Sequence, residues 1–172
     1  MKKTIPALII TFVSIVFVML VGGIVVKIVK ANDSAERIKT LPSFKLPTLE
    51  GKIFNSDNLE KGPLLIVYFH PECEYCQYEI SSLISNNIQS RNIKILFISN
   101  ARPESIKKFT ELFDINSKDF HILSDTSFVF TEMFGIHVIP VNILYDENLK
   151  LIKYYKGEIK TEVILNYLDG GT

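Results

Sequence analysis

The chain has 172 residues, and 19 Lys and Arg balance 19 Asp and Glu, so its formal net charge at pH 7 is zero. Interspersed charges of both signs give no basic surface, and we expect no nucleic-acid partner. The chain has two cysteines, too few for a domain held together by disulfides. The length allows one membrane segment followed by a single compact domain.

The N-terminal region contains a long apolar run, from Ile5 to Val26. About twenty apolar residues span a bilayer as a helix, and this run is longer than the core of a usual signal peptide. We therefore interpret 1–4 as a short tail and 5–26 as a single transmembrane anchor. A signal sequence cleaved near Val29-Lys30-Ala31 is the alternative.

The basic residues at the two ends of the anchor favour opposite orientations in the membrane. Lys2 and Lys3 favour a cytoplasmic N-terminus, whereas the basic residues at 27–39 count against it. A short tail need not be translocated, and a redox domain has most disulfides to act on in an oxidising compartment. We therefore predict a single-pass protein of a bacterial-type inner membrane, with its domain outside the cytoplasm.

After the anchor, residues 27–40 are polar and charged in their second half, and we interpret them as a linker. The compact domain then occupies 41–172. It opens with a short β-hairpin from Phe44 to Phe54, in which Pro47 is confined to an edge. A single helical turn follows at Ser56 to Leu59.

The rest of the chain alternates between strand and helix patterns. The patterns predict a buried strand at 64–69, a helix from Cys73 to about Asn92, a strand at 93–99, a helix from Pro103, a strand at 120–123, a helix at 127–134, a hairpin of 138–145 and 149–155, and a closing helix at 160–168. That order predicts an α/β fold whose central sheet is parallel in its first part and carries helices on both faces.

Both cysteines lie together as a single C-x-x-C, directly after the first buried strand. If a helix begins at Cys73, its sulfur lies beside free backbone N–H groups and the positive end of the helix dipole, which favour a nucleophilic thiolate. Cys76 follows one turn later, within disulfide reach, and would be the more buried partner that resolves a mixed disulfide. The motif therefore indicates a redox dithiol.

Other interpretations of the pair are a zinc site, two buried structural cysteines or a structural disulfide. Tetrahedral zinc needs four ligands, and His70, His121 and His137 occur singly, so we predict no metal site and no cofactor. A disulfide that closes so short a loop removes little entropy from the unfolded chain. The structural disulfide and the buried cysteines stay open as alternatives.

Pro140 opens a strand that otherwise has the composition of a buried one. A cis Ile139–Pro140 bond beside the dithiol would leave the backbone of Ile139 free to pair with an extended substrate. A trans proline at the start of a strand is the alternative.

Together these features resemble the thioredoxin superfamily, and within it the membrane-anchored TlpA/ResA-like thiol–disulfide oxidoreductases and the wider redoxin, or AhpC/TSA-type, group. The resemblance covers Leu41 to Leu168 and rests on the hairpin, the run from Val67 to Cys76, the segment from Phe134 to Pro140 and the closing hairpin. It implies a thioredoxin-like fold: a central mixed β-sheet flanked by helices, with an N-terminal β-hairpin extension and one N-terminal transmembrane helix.

The resemblance also implies roles for individual residues. Cys73 matches the attacking cysteine and Cys76 the resolving one, while Pro140 matches the cis-proline, with Ile139 before it at the substrate. Glu79 matches the acidic residue three positions after the second cysteine, where a carboxylate assists proton movement at Cys76. A solvated surface glutamate is the alternative for Glu79.

The chain departs from the family pattern at three places. Glu72 stands where a tryptophan usually precedes the first cysteine, Val67 takes the place of thioredoxin's buried aspartate, and Glu74-Tyr75 replaces Gly-Pro. Acidic neighbours disfavour a thiolate and hence the reduced form, which makes a dithiol less oxidising. We therefore predict a reductant of extracytoplasmic protein disulfides, supplied by a transmembrane thiol electron donor. Cytochrome c maturation is one role of the family.

Two alternatives come from other functional classes. A peroxiredoxin-like peroxidase has Thr or Ser three residues before its reactive cysteine and Pro seven before, where this chain has His70 and Ile66. A copper-binding chaperone would hold soft Cu(I) with the two thiolates and a histidine such as His137, although such proteins usually space their cysteines more widely.

Overall fold

The computed structural model describes the backbone at residues 4–115 and 120–168, and the side chains at 12–26, 36–88, 90–115 and 120–167. The chain divides into two compact units, Met1–Glu36 and Arg37–Thr172. Most of the predicted tail and the last residues of the predicted domain, 169–172, lie outside the described residues.

The described part of the first unit is helical, and the helix α1 spans Thr4–Arg37. It includes residues 27–37 of the predicted linker. No proline or glycine lies between Gly23 and Pro42, and extending an existing helix through ordinary residues costs little. Within the residues that the structure describes, no helix is long and apolar enough to cross a membrane.

The second unit begins with the predicted hairpin. Strands β1 (Lys45–Pro47) and β2 (Ile53–Asn55) pair antiparallel, with Leu46 opposite Phe54. Gly51 in the connecting turn has a φ of 79°, which glycine adopts without a steric penalty. A single 3₁₀ turn follows at Ser56–Asn58, so the hairpin and the helical turn are both confirmed.

The central sheet has five strands, in the order β5-β4-β3-β6-β7. They are β3 (Leu64–Phe69), β4 (Lys94–Ser99), β5 (His121–Ser124), β6 (Val141–Tyr145) and β7 (Leu151–Lys156). Strands β3, β4 and β5 are parallel, whereas β6 and β7 are antiparallel to their neighbours, which confirms a mixed sheet. Because β6 runs against β3, with Tyr68 opposite Val141, the residues after β3 and those before β6 share one edge.

Helices cover both faces of this sheet. They are α2 (Glu74–Ser85), α3 (Pro103–Leu112), α4 (Val129–Phe134) and α5 (Thr161–Leu168). Side chains of α2, α3 and α5 share one buried cluster, and α4 packs with the hairpin in another. Helix α2 ends earlier than predicted because Asn87 adopts a left-handed conformation (φ 49°). Ile88 stays buried in a separate 3₁₀ turn, so the apolar stripe continues past the helix.

Candidate active site

The two cysteines lie at the N-terminus of α2, at the edge where β3 ends. Cys73 is the N-cap residue, and its Sγ accepts a hydrogen bond from the Cys76 N–H at 3.3 Å. Two hydrogen bonds hold the loop between β3 and α2 in place. The Cys73 N–H donates to the His70 carbonyl at 3.0 Å, and the Gln77 side chain donates to the Pro71 carbonyl at 2.7 Å. Free N–H groups at a helix N-terminus are the donors that stabilise a thiolate.

The two thiols differ in their surroundings. They are not bonded to each other; Cys73 is partly exposed, whereas Cys76 is buried. Burial raises the pKa of the Cys76 thiol well above its ordinary value, and the hydrogen bond with Cys73 and the nearby charge of Glu79 raise it further. The prediction that Cys76 is the more buried of the pair is therefore confirmed.

Glu79 is buried on α2, one turn beyond Cys76, with 1% of its surface exposed. Its Oε2 accepts the Ile159 N–H at 3.0 Å, while Oε1 has no hydrogen-bond partner among the described residues. Burial raises the pKa of Glu79 from 4.5 to about 7, against the opposing effects of the Ile159 N–H and the Asn142 side chain. The alternative of a solvated surface glutamate is therefore wrong, and the carboxyl is suited to exchanging protons near neutral pH.

Pro140 lies immediately before β6, at the same edge of the sheet as the cysteine loop. The Ile139–Pro140 peptide is cis, so the alternative of a trans proline is wrong. The Pro140 carbonyl accepts the Gly157 N–H at 2.8 Å. Ile139 and Val138 keep 39% and 48% of their surfaces exposed, which makes them available to a substrate.

Some residues of this region were not singled out from the sequence. Tyr75 and Tyr78 on α2 are 68% and 69% exposed, large apolar surfaces beside the dithiol. Asn142 is fully buried in β6. A polar residue inside a buried apolar strand was the signal that could have found Asn142, because such a group needs a partner.

The histidines do not gather around the dithiol in a metal-binding arrangement. Among the described residues, no group of three or more His, Cys, Asp and Glu side chains could hold a metal ion. His70 Nδ1 accepts the Glu72 N–H at 3.3 Å within the loop. His121 packs against the Phe54 ring at the start of β5, the opposite end of the parallel strands from Cys73.

Comparison with known proteins places this geometry in a family. The profile of the AhpC/TSA family matches residues 38–164, most of the chain. The thiol-disulfide oxidoreductase ResA of Halalkalibacterium halodurans is 19% identical over 130 residues, which cover 74% of this chain and 72% of that protein.

Solved structures show the same fold. A secreted Mycobacterium tuberculosis disulfide oxidoreductase homologous to Escherichia coli DsbE has a TM-score of 0.66 and 18% identity, over 78% of this chain and 98% of its own. StoA from Bacillus subtilis has a TM-score of 0.60 and 17% identity, over 75% and 98%. The chain therefore belongs to the AhpC/TSA family, as a TlpA/ResA-like thiol–disulfide oxidoreductase with a thioredoxin-like fold.

Proposed function

We propose that this oxidoreductase reduces disulfides of extracytoplasmic proteins through Cys73 and Cys76, held at a bacterial inner membrane by residues 5–26. The observation that carries the proposal is the contrast between the two sulfurs. The Cys73 sulfur is partly exposed and accepts an N–H at the start of α2, and the Cys76 thiol lies buried behind it. Such a pair suits attack on an outside disulfide followed by resolution from within.

In the proposed reaction, the Cys73 thiolate attacks one sulfur of the substrate disulfide, and the other substrate sulfur leaves as a thiolate. Cys76 then loses its proton and attacks Cys73 Sγ in the mixed disulfide, which releases the second substrate thiolate. The substrate gains two electrons, and the dithiol becomes a disulfide. A transmembrane thiol carrier would return the enzyme to its reduced form.

Glu79 is the proposed acceptor of the Cys76 proton. The resolving thiol is buried, and its raised pKa means that it needs a nearby base. The Glu79 carboxyl lies one turn away on the same helix, and its own pKa of about 7 lets it take up and release a proton at neutral pH. The backbone of Ile139, before the cis-proline, is the proposed pairing edge for an extended substrate.

The proposed direction of electron flow is supported by the surroundings of the two thiols. A dithiol is a strong oxidant when its reduced form is stabilised. Here burial and the Glu79 carboxylate disfavour a thiolate at Cys76, and Glu72 and Glu74 place further negative charge nearby, although both are exposed and screened by water. These charges favour a reductant.

Trapping tests the dithiol mechanism. Cys76→Ser should accumulate covalent mixed disulfides with substrate proteins, and Cys73→Ser, the matched control, should accumulate none. A Cys76→Ser protein that traps nothing would contradict the assignment of Cys76 as resolver. Rapid hydrogen peroxide consumption that survives in Cys76→Ser would instead support the peroxidase alternative.

The reduction potential of the couple tests the direction. Equilibration of the full chain in detergent against thiol buffers should give a value near that of thioredoxin, about −270 mV. A value near that of DsbA, about −120 mV, would mean that the protein inserts disulfides.

As a first substrate we propose an oxidised C-x-x-C-H peptide, because cytochrome c maturation requires these two cysteines to be reduced.

The membrane anchor rests on the amino-acid sequence of the run from Ile5 to Val26, of which the structure describes side chains from Phe12 onward. These side chains are mostly large, apolar and exposed, and a helix that is apolar all round needs lipid or protein around it.

The chain should stay with membranes through alkaline carbonate extraction. In intact spheroplasts, Cys73 should react with a membrane-impermeant maleimide; protection until lysis would place the domain in the cytoplasm.

A further inference from the structure

Asn142 is a buried polar residue that the proposed reaction does not yet use. It lies on β6, opposite Val67 of β3 and Tyr155 of β7. Side chains alternate between the faces of a strand, and Leu144, two residues on, belongs to the buried cluster that contains Cys76. Asn142 therefore points to the face of the sheet that α2 covers.

Glu79 and Asn142 each leave one polar atom unpaired there. Neither Glu79 Oε1 nor Asn142 Oδ1 has a hydrogen-bond partner among the described residues, although both atoms are buried. The Asn142 Nδ2 donates a long hydrogen bond to the Gly157 carbonyl at 3.5 Å. The two side chains are within reach of each other, because hydrogen bonding from the Asn142 side chain lowers the pKa of Glu79. Buried polar atoms are nearly always paired, so the two unpaired atoms call for a state in which they find partners.

The chemistry of the two groups supplies that state. An ionised carboxylate only accepts hydrogen bonds, whereas a protonated one also donates. A side-chain amide carries a donor at one end and an acceptor at the other. One amide can therefore serve both forms of Glu79, with Nδ2 toward the carboxylate and with Oδ1 toward the carboxylic acid.

We propose that Asn142 is a positioning residue for the Glu79 carboxyl: its amide donates to the ionised form, turns to accept from the protonated form, and thereby sets the pH at which Glu79 gains its proton. This inference deepens the proposed function and rests on it, because Glu79 matters to thiol exchange only if it takes the Cys76 proton. Asn142 touches neither the substrate nor the reacting sulfurs in this role.

Other titratable groups lie near Glu79, but none of them carries a side-chain amide. Glu158, in the loop before α5, raises the pKa of Glu79 by charge repulsion. Further titratable groups on the surrounding elements are the Cys73 and Cys76 thiols at the start of α2, the Lys153 and Tyr155 side chains on β7, and the Tyr167 hydroxyl on α5. None of these is changed by a substitution at Asn142, so its effect can be measured against a constant background.

NMR of the Glu79 carboxyl carbon and of the Asn142 side-chain amide tests this proposal on the reduced full chain in detergent micelles. We expect the side-chain amide signals of Asn142 to move with the same pH midpoint as the Glu79 carboxyl, and Glu79→Gln to abolish that movement. Amide signals that stay constant through the Glu79 titration would overturn the proposal. This readout involves no thiol exchange, so it succeeds or fails separately from the oxidoreductase function.

Two substitutions sharpen the test. Asn142→Leu, of similar shape, removes both the N–H that stabilises the carboxylate and the carbonyl that accepts from the carboxylic acid. Because a hydrogen bond to a charged acceptor is the stronger of the two, the Glu79 midpoint should rise by roughly one pH unit. Asn142→Thr suits a strand, keeps a hydroxyl that donates and accepts, and should return the midpoint toward the wild-type value. Asn166→Leu, on the exposed side of α5, is the matched control. An unchanged midpoint in Asn142→Leu, or equal shifts in the Leu and Thr variants, would contradict the role.

Discussion

Among the described side chains of this domain, two carboxylates are buried, Asp125 and Glu79, and their hydrogen bonding differs. Asp125, with none of its surface exposed, follows β5 on the α4 side of the sheet. It accepts the N–H groups of Phe130 and Thr131, both at 2.9 Å, the Thr131 hydroxyl at 2.8 Å and the Tyr68 hydroxyl at 3.2 Å. Glu79 accepts one N–H, from Ile159.

The difference follows from where each carboxylate lies along the chain. Asp125 precedes α4, so its short side chain meets backbone N–H groups that the first turn of a helix leaves unpaired. Glu79 lies inside α2, where the helix has already used its own N–H groups, and its partners must come from another element. A carboxylate with a full set of donors strengthens the fold, whereas one left short of donors is free to exchange its proton.

The largest effect should come from removing the well-bonded carboxylate. Asp125→Ala leaves the N–H groups of Phe130 and Thr131 without their acceptor, and the Tyr68 and Thr131 hydroxyls keep only each other as partners among the described residues. We expect a loss of about 4 kcal/mol in the free energy of unfolding. Urea unfolding followed by near-ultraviolet circular dichroism measures it. Glu111→Ala, an exposed carboxylate on α3, should change stability by less than about 0.5 kcal/mol. Similar losses in both variants would remove the contrast.

Glu79 should affect stability in a pH-dependent way. Its pKa in the folded protein, about 7, lies above the ordinary 4.5, so between these values the folded state binds more protons than the unfolded state. The contribution of Glu79 is therefore greatest below pH 4.5 and is lost as pH rises to 7, a fall of about 3 kcal/mol. Glu79→Gln, which cannot ionise, should lack this fall.

Unfolding free energies of the wild type and Glu79→Gln, compared at pH 4.5 and pH 8, decide this. The variant should gain stability relative to the wild type as pH rises. A difference between the two proteins that stays constant with pH would show that Glu79 ionises as easily as a surface carboxylate. Glu111→Gln supplies the control for exposed carboxylates.

The contrast between the two carboxylates also marks the limit of what the sequence could predict. The strand–helix order, the hairpin and the cysteine pair are local patterns, and the structure confirms them. The hydrogen-bond partners of the buried carboxylates are not local in sequence. The Ile159 N–H that bonds Glu79 is 80 positions away, and the Tyr68 hydroxyl that bonds Asp125 is 57 positions away. Glu79 could therefore be matched to a family position but not told from a surface residue, and Asp125 and Asn142 were not recognised at all.

Helix α2 shows a second limit. The apolar stripe that includes Ile88 predicts one helix to about Asn92, but the helix ends at Ser85. Periodicity reports which residues are buried, and Ile88 is buried in either case. The left-handed Asn87 that breaks the helix leaves that pattern intact.

The smallest expected effect is on the resolving thiol. The Glu79 charge adds to the raised pKa of Cys76, behind the larger effects of burial and of Cys73. In a Cys73→Ser background at pH 9, where Glu79 is ionised, Glu79→Gln should therefore speed alkylation of Cys76 by iodoacetamide about threefold. Below pH 6 the carboxyl is neutral in the wild type, so the two rates should converge.

Glu74→Gln is the matched control, since Glu74 lies on the same helix but is exposed to water. It should leave the rate nearly unchanged at both pH values, because solvent screens its charge. A rate gain in Glu79→Gln that persists at pH 5 would point to looser packing around Cys76 instead of a lost charge. A gain that disappears as Glu79 takes up its proton would tie the two groups together electrostatically, as proton transfer from Cys76 to Glu79 requires.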